Sequence, residues 1–269
     1  MSPMRPSTHT PPGYLTAADR PVAGHLRVFG VTAVLSGWVL LSVPLVTDLP
    51  VEPFVLLTLA FGLVTPAVLL TRRDPDASMK ALLRDCVRLP RRPGLLLLAP
   101  TVIPLLTWTG GLLAGAETRL SSGFLADVVV NVVTSVLIVN LWEEMAWAGF
   151  FQRRAMYRYG FVTGSLVTAA LFVAVHLPLA FVDVGGVRDV LAGVAALVVS
   201  GIGLRLLVGA VDAWSARSIL TVALLHASFN VAADFVDADH DWIRYTVTLL
   251  LGLLVLATPV ARGATAGAR

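Results

Sequence analysis

The amino-acid sequence predicts an all-α, polytopic integral membrane protein with about eight transmembrane helices. Hydrophobic residues make up 57% of the chain and charged residues only 14%, whereas a soluble domain usually carries ~25% charged residues. The mean hydropathy is +0.81. The apolar runs are close to the ~20 residues that cross a bilayer as a helix. They lack the strict period-two alternation of a membrane β-strand, so helices are the structure that satisfies their backbone in lipid.

The apolar runs follow one another along one predicted transmembrane domain, residues 25–262. Residues 1–24 are polar and Pro-rich without a signal peptide, and we expect a disordered cytoplasmic tail there. Residues 263–269 form a second short cytoplasmic tail. The eight predicted spans are 26–47, 51–71, 94–115, 124–150, 160–182, 187–208, 213–236 and 242–261.

The basic residues predict the orientation of these spans in a cell (inner or plasma) membrane. If alternate loops are cytoplasmic, starting with the N-terminus, 17 of the 20 Lys and Arg residues lie on that side, seven of them within residues 72–92 and Arg205 among the others. Arg119, Arg188 and Arg244 lie on the opposite side. The positive-inside rule therefore places both termini in the cytoplasm. The basic pI reflects this topology and contact with anionic lipid, so we expect no nucleic-acid partner.

Five polar side chains interrupt the apolar spans: Glu143, Glu144, His176, His226 and Asn230. A charge near the bilayer centre costs at least ~2.5–3.5 kcal/mol on insertion scales. The last two residues are spaced i and i+4, so they share one helix face. Polar groups this costly indicate a functional site within the membrane.

The spacing along the chain predicts that these groups lie at one depth. Helices four and five should form a hairpin that turns near Gly160, with Glu143 17 residues before the turn and His176 16 residues after it. At ~1.5 Å per residue both lie ~25 Å from the turn. His226 lies 14 residues after Asp212, the predicted start of helix seven, or ~21 Å along that helix. We therefore expect one shared site.

The residue types allow two chemistries. A carboxylate in a water-poor site can take a proton from water, a neighbouring imidazole can orient that water, and a second imidazole with a carboxamide can stabilise an oxyanion. This set can hydrolyse a peptide without a serine or cysteine nucleophile. Two His and one Glu also match a catalytic zinc pattern. Glu143, His176 and His226 therefore stay open as zinc ligands, although no HExxH is present.

Three motifs carry a family resemblance: LWEEMAWAGFFQRR from residue 141, FVAVH from residue 172 and HASFN from residue 226. They resemble the EExxxR, FxxxH and HxxxN/B motifs of the CPBP intramembrane proteases, which include type II CAAX prenyl endopeptidases and bacteriocin-processing or immunity proteins. The resemblance covers a protease-like core of about 95–240, and the eight-helix layout is similar. It implies that Glu143 and His176 activate the hydrolytic water, and that His226 and Asn230 form the oxyanion site. Of the two mechanisms described for the family, we favour the metal-independent glutamate type, with no cofactor.

The chain departs from the first motif at one position. The family's arginine, five residues after the first glutamate, is replaced by Ala148. Glu144 is therefore expected to lack a cationic partner, and to hydrogen-bond with Asn140 or to be protonated. The departure bears on the role of Glu144 more than on that of Glu143.

Two functions are consistent with these observations. The first is an endopeptidase that cuts a membrane-embedded or membrane-delivered peptide. The second is a non-catalytic binding, immunity or scaffold protein that uses the same cavity. A proton-coupled transporter ranks third, because no repeated halves with matching broken helices are evident. The abundance of Ala, Val, Leu, Gly and Arg resembles the composition of proteins from high-GC bacteria. This origin disfavours prenylated proteins as substrates.

Overall fold

The chain folds into a bundle of helices. The computed structural model describes residues 13–182 and 184–261, and within these ranges the chain contains helices and turns but no β-strand. This confirms the predicted all-α class. In chain order the helices are α1 (His25–Val46), α2 (Glu52–Arg72), α3 (Met79–Cys86), α4 (Leu95–Ala114), α5 (Ser122–Tyr159), α6 (Phe161–Phe181), α7 (Val187–Trp214), α8 (Ile219–Phe235) and α9 (Trp242–Val255).

Six of these helices are long and apolar enough to cross a membrane: α1, α2, α4, α5, α6 and α7. Their outer faces expose large apolar side chains, such as Val39, Leu97 and Leu113, the last of which is 91% exposed. Such faces suit a lipid environment, and the chain is a multi-pass membrane protein. The described α8 and α9 are shorter, α9 having 14 residues. The count of eight spans and the cytoplasmic termini stay predictions.

Helices α5 and α6 form the predicted hairpin, and Gly160 is its turn. Gly160 has a φ of +79°, in the left-handed region where glycine is favoured. Four residues later, a Cβ on Gly164 would lie only 2.4 Å from the Met156 backbone nitrogen. Glycine at that position therefore allows the two helices to pack closely, which fixes the depth of α6 relative to α5.

Helix α5 changes its winding on both sides of the two glutamates. Residues Leu141–Glu144 are α-helical, whereas Val136–Asn140 before them and Met145–Gln152 after them are π-helical. A π-helical turn inserts an extra residue and rotates the side chains that follow, and such turns are frequent at functional sites. The paired glutamates thus lie in a locally rewound part of the membrane helix.

The boundary between α7 and α8 differs from the sequence prediction. Asp212, expected to start a helix, instead lies inside α7, which continues to Trp214. Its carboxylate is buried and accepts two hydrogen bonds from Arg153 of α5, at 2.9 and 2.6 Å. This ion pair secures the last turn of α7. Helix α8 begins only after Ser218, whose hydroxyl caps the new helix by accepting from the Thr221 backbone N–H.

Part of the predicted N-terminal tail packs on the bundle. Residues 1–12 and 262–269 lie outside the described residues, but residues 13–24 are described. Ala17–Asp19 forms a 3-10 turn in which Asp19 is only 2% exposed. Its carboxylate accepts from both terminal nitrogens of Arg217, at 2.6 and 3.1 Å. The Arg217 guanidinium, in the loop between α7 and α8, therefore holds residues 17–19 against the bundle. The composition of the tail did not predict this contact.

Candidate functional site

Three helices bring four of the five candidate side chains together. The His176 Nε2 of α6 lies 3.7 Å from the Glu143 Oε1 of α5. The His226 Nδ1 of α8 lies 3.8 Å from Glu143 Oε2 and 2.6 Å from Glu144 Oε1. Glu143 is thus flanked by two imidazoles, while Glu144 bonds directly to one of them.

The hydrogen bond on the far side of His176 defines which nitrogen faces Glu143. His176 Nδ1 donates to the Phe172 backbone carbonyl at 2.7 Å, because a carbonyl oxygen can only accept. In the neutral ring, Nε2 then carries a lone pair toward the Glu143 carboxylate. Two acceptors 3.7 Å apart form no hydrogen bond with each other, but one donor molecule can reach both. The pair is therefore arranged to hold a water molecule.

Glu143 and His176 line a small cavity of about 60 Å³. One water molecule needs about 10–15 Å³ of cavity volume, so this cavity has room for a few water molecules. The opposite wall is built by α1 and α2, mainly from Leu41, Val55 and Leu59. Thr58 of α2 also lines it, and its buried hydroxyl has no hydrogen-bond partner within the described ranges. The cavity is apolar apart from these few polar groups, as binding sites commonly are.

Asn230 is not brought into this group. It lies one turn beyond His226, near the end of α8, and is exposed. It makes no hydrogen bond to any residue that the structure describes. The i and i+4 spacing gave Asn230 the same helix face as His226, but His226 is only 4% exposed and Asn230 is not buried.

Glu144 has a cationic partner that the sequence analysis missed. Arg205 of α7 donates to Glu144 Oε2 from Nη1 at 3.0 Å and to Oε1 from Nη2 at 2.6 Å. Both side chains are fully buried. The expectation that Glu144 lacks a cation was therefore wrong, and Asn140 instead accepts a hydrogen bond from Ser135 at 2.6 Å.

The sequence did contain a signal for Arg205. It is the one charge in the stretch SGIGLRLLVGAV, and an ionisable residue inside an apolar helix is by default a candidate functional residue. Counting it with the cytoplasmic basic residues overlooked its burial: α7 continues to Trp214, and the guanidinium turns inward to Glu144. The excess of basic residues on that side does not depend on this single residue.

The Phe172 ring packs against both site histidines and Arg205. Its ring centroid lies 4.3 Å from that of His176 and 5.8 Å from that of His226. The Arg205 guanidinium carbon lies 4.4 Å from the same ring, within cation–π distance. One aromatic side chain thus restrains both imidazoles and the cation.

The donors do not fit a zinc site in this arrangement. In the part of the chain that the structure describes, no group of three or more His, Cys, Asp or Glu side chains could hold a metal ion. His226 presents to Glu143 the same Nδ1 that is already bonded to Glu144. The set Glu143, His176 and His226 therefore lacks three free, convergent donor atoms.

The fold and the site define a class: a multi-pass membrane protein with a carboxylate–histidine site inside its helical bundle. Within this class, residues 125–232 match the family model described as Rce1-like, type II CAAX prenyl endopeptidase Rce1-like. This match confirms the family resemblance that the three motifs predicted. The matched segment contains all five candidate residues and Arg205, and it lies inside the predicted core of about 95–240. No curated protein matches the chain.

The family is a protease family, so the match supports endopeptidase activity in general. It also supports a membrane-embedded substrate and a lipid environment.

Proposed function

We propose that the chain is an intramembrane endopeptidase in which Glu143 activates a water molecule. The observation that carries this proposal is the position of the Glu143 carboxylate. It lies 3.7 Å from His176 Nε2 and 3.8 Å from His226 Nδ1, at the wall of a small, mainly apolar cavity. A carboxylate with little water around it is well suited to act as a general base.

In the proposed reaction, a water molecule donates hydrogen bonds to Glu143 and His176 Nε2. Glu143 takes one proton, and the hydroxide attacks the carbonyl carbon of the scissile peptide bond. The tetrahedral intermediate then collapses, and the proton held by Glu143 passes to the departing amine. The products are a new carboxylate and a new amine, so one water is consumed for each bond that is broken.

His226 is proposed to stabilise the oxyanion of that intermediate. Its Nδ1–H is engaged by Glu144, whose carboxylate balances a positive charge on the ring. The protonated ring then presents Nε2–H as a donor to the developing oxyanion. We propose that Asn230, exposed at the end of α8, contributes its amide once a substrate covers it.

The proposed substrate is a peptide segment that reaches the site within the membrane. The walls that Leu41, Val55 and Leu59 contribute fit aliphatic side chains. The unpartnered hydroxyl of Thr58 is available for a hydrogen bond to the peptide backbone or to water. The proposal includes no prenyl group and no cofactor.

The test compares two Glu-to-Gln substitutions in the purified protein reconstituted in liposomes. The probe is a library of hydrophobic membrane-protein peptides, and cleavage is read by mass spectrometry of new termini. Glu143→Gln should lower cleavage by at least ~10²-fold, the usual contribution of a general base. Glu117→Gln changes an exposed glutamate outside the site and should leave cleavage unchanged.

The alternative is a non-catalytic binding, immunity or scaffold protein, favoured by one observation: Asn230 does not join the other four candidates. If Glu143→Gln retains the full biological effect of the wild type, that alternative is correct.

The cleavage assay also tests for a catalytic metal. Incubation with a chelator should leave cleavage by a glutamate-type enzyme intact, whereas it should abolish cleavage by a zinc enzyme.

A further inference from the structure

Arg205 is the buried cation next to the proposed site. It lies inside α7, and its side chain is fully buried. Both of its terminal nitrogens donate to Glu144, and the Phe172 ring covers its guanidinium carbon at 4.4 Å. A planar guanidinium that meets both oxygens of one carboxylate fixes the position of that carboxylate as well as its charge.

The contacts continue from Glu144 to His226. Glu144 Oε1 accepts from Arg205 Nη2 at 2.6 Å and from His226 Nδ1 at 2.6 Å. Because all of these neighbours are donors, Glu144 is held as the carboxylate, and the proton of the imidazole is held on Nδ1. A carboxylate on one ring nitrogen is a common way to set the tautomer and direction of the other.

We infer that Arg205 is a positioning residue for the proposed hydrolytic site. It holds Glu144 ionised, and Glu144 in turn orients His226, keeps a proton on its Nδ1 and balances the charge of the protonated ring that donates from Nε2. It does so from α7, 61 positions away from Glu144 in sequence, in a chain whose first motif carries Ala148 where the resembled family has arginine. The cation is thus provided by another helix. This inference rests on the proposed function, because His226 matters here as the oxyanion donor.

A second buried arginine in the chain offers a matched control. Arg153 of α5 is also fully buried and donates to both oxygens of Asp212, at 2.9 and 2.6 Å. Its remaining contacts are to Asp85 and to the Arg217 carbonyl, away from Glu143 and both site histidines. It resembles Arg205 in burial and pairing but has no contact with the proposed site.

The first measurement is steady-state cleavage by the folded fraction of Arg205→Lys, Arg205→Met and Arg153→Lys. Lysine keeps the positive charge but loses the planar two-point contact, and methionine removes both. We expect kcat to fall at least tenfold in Arg205→Met and less in Arg205→Lys, with KM within twofold of the wild type. Arg153→Lys should keep the wild-type kcat. A wild-type kcat in both folded Arg205 variants, or an equal loss in Arg153→Lys, would overturn the inference.

The second measurement does not depend on activity. In protein labelled with ¹⁵N-histidine, the two ring nitrogens of His226 report its tautomer and charge. The His226 signals are assigned by comparison with His226→Gln. We expect the protonated Nδ1 signal in the wild type and in Arg153→Lys, and loss or exchange broadening of that signal in Arg205→Lys. Unchanged His226 signals in Arg205→Lys contradict the positioning role, whereas inactivity of the wild type on every peptide contradicts the proposed function alone.

Discussion

The close crossing of α7 and α9 predicts a large effect from a single methyl group. A Cβ on Gly203 of α7 would lie 2.5 Å from the Thr248 carbonyl oxygen and 2.6 Å from the Leu249 Cα of α9. On the opposite helix, a Cβ on Gly252 would lie 2.5 Å from the Gly203 carbonyl oxygen. Ordinary contacts are about 3.5 Å, so Gly203→Ala must move two helix backbones roughly 1 Å apart.

This displacement should lower the free energy of unfolding. Overpacking usually costs about 1–3 kcal/mol, and we expect the upper part of that range, about 2–3 kcal/mol, because the obstructing atoms are backbone. For a chain of this size, each kcal/mol lowers Tm by roughly 2–4 °C, so the expected decrease is roughly 4–12 °C. Thermal unfolding in detergent micelles, followed by tryptophan fluorescence, measures it.

The matched control is Gly123→Ala. Gly123 lies in α5, and a Cβ built there meets nothing within 4 Å. Because alanine favours a helix more than glycine does, its Tm should stay the same or rise slightly. If Gly203→Ala and Gly123→Ala unfold at the same temperature, then α7 and α9 have room for a Cβ at Gly203, contrary to the 2.5 Å separation.

Three further predictions concern groups outside the membrane-spanning segments. Cys86 is buried, and burial raises the pKa of its thiol to about 11, so a maleimide should label it slowly at pH 7 until the protein is unfolded. In a Cys86→Ala background, an exposed Lys80→Cys should react with an impermeant maleimide only after cells are permeabilised; labelling of intact cells would reverse the topology. Burial alone would raise the pKa of Asp19, but the paired Arg217 outweighs it and holds that pKa below its usual value. Its stabilisation is therefore present above the pKa of the unfolded state and is lost as the pH falls below about 4. Asp19→Asn should lower Tm at pH 7 and reduce the further loss of Tm on acidification; an unchanged Tm at pH 7 would contradict this.

The sequence predicted those features that depend on helix geometry alone. The constant rise per residue placed Glu143 and His176 at equal distances from the turn at Gly160, and their side chains do lie 3.7 Å apart. A glycine after a basic helix end was a sufficient signal for that turn, and the left-handed φ of Gly160 agrees with it. The helical class followed from run length and hydropathy.

The features that the sequence did not predict depend on contacts between distant residues. Arg205 was counted with the cytoplasmic basic residues because a count of basic residues cannot show that its guanidinium is buried against Glu144 of another helix. The predicted span ended before Asp212, but α7 includes it and continues to Trp214, and its carboxylate is paired with Arg153 of another helix. Asn230 is exposed although it shares a helix face with His226 by spacing, because residue spacing does not show which positions the neighbouring helices cover.

The central claim is that Glu143 directs water onto a peptide bond. The most direct test is to run the liposome reaction in H₂¹⁸O and measure ¹⁸O in the newly formed carboxyl group by mass spectrometry. The wild type should incorporate one ¹⁸O for each bond cleaved, and Glu143→Gln should lower the rate of incorporation by at least ~10²-fold while its Tm stays near that of the wild type. Incorporation by Glu143→Gln at the wild-type rate would contradict the claim.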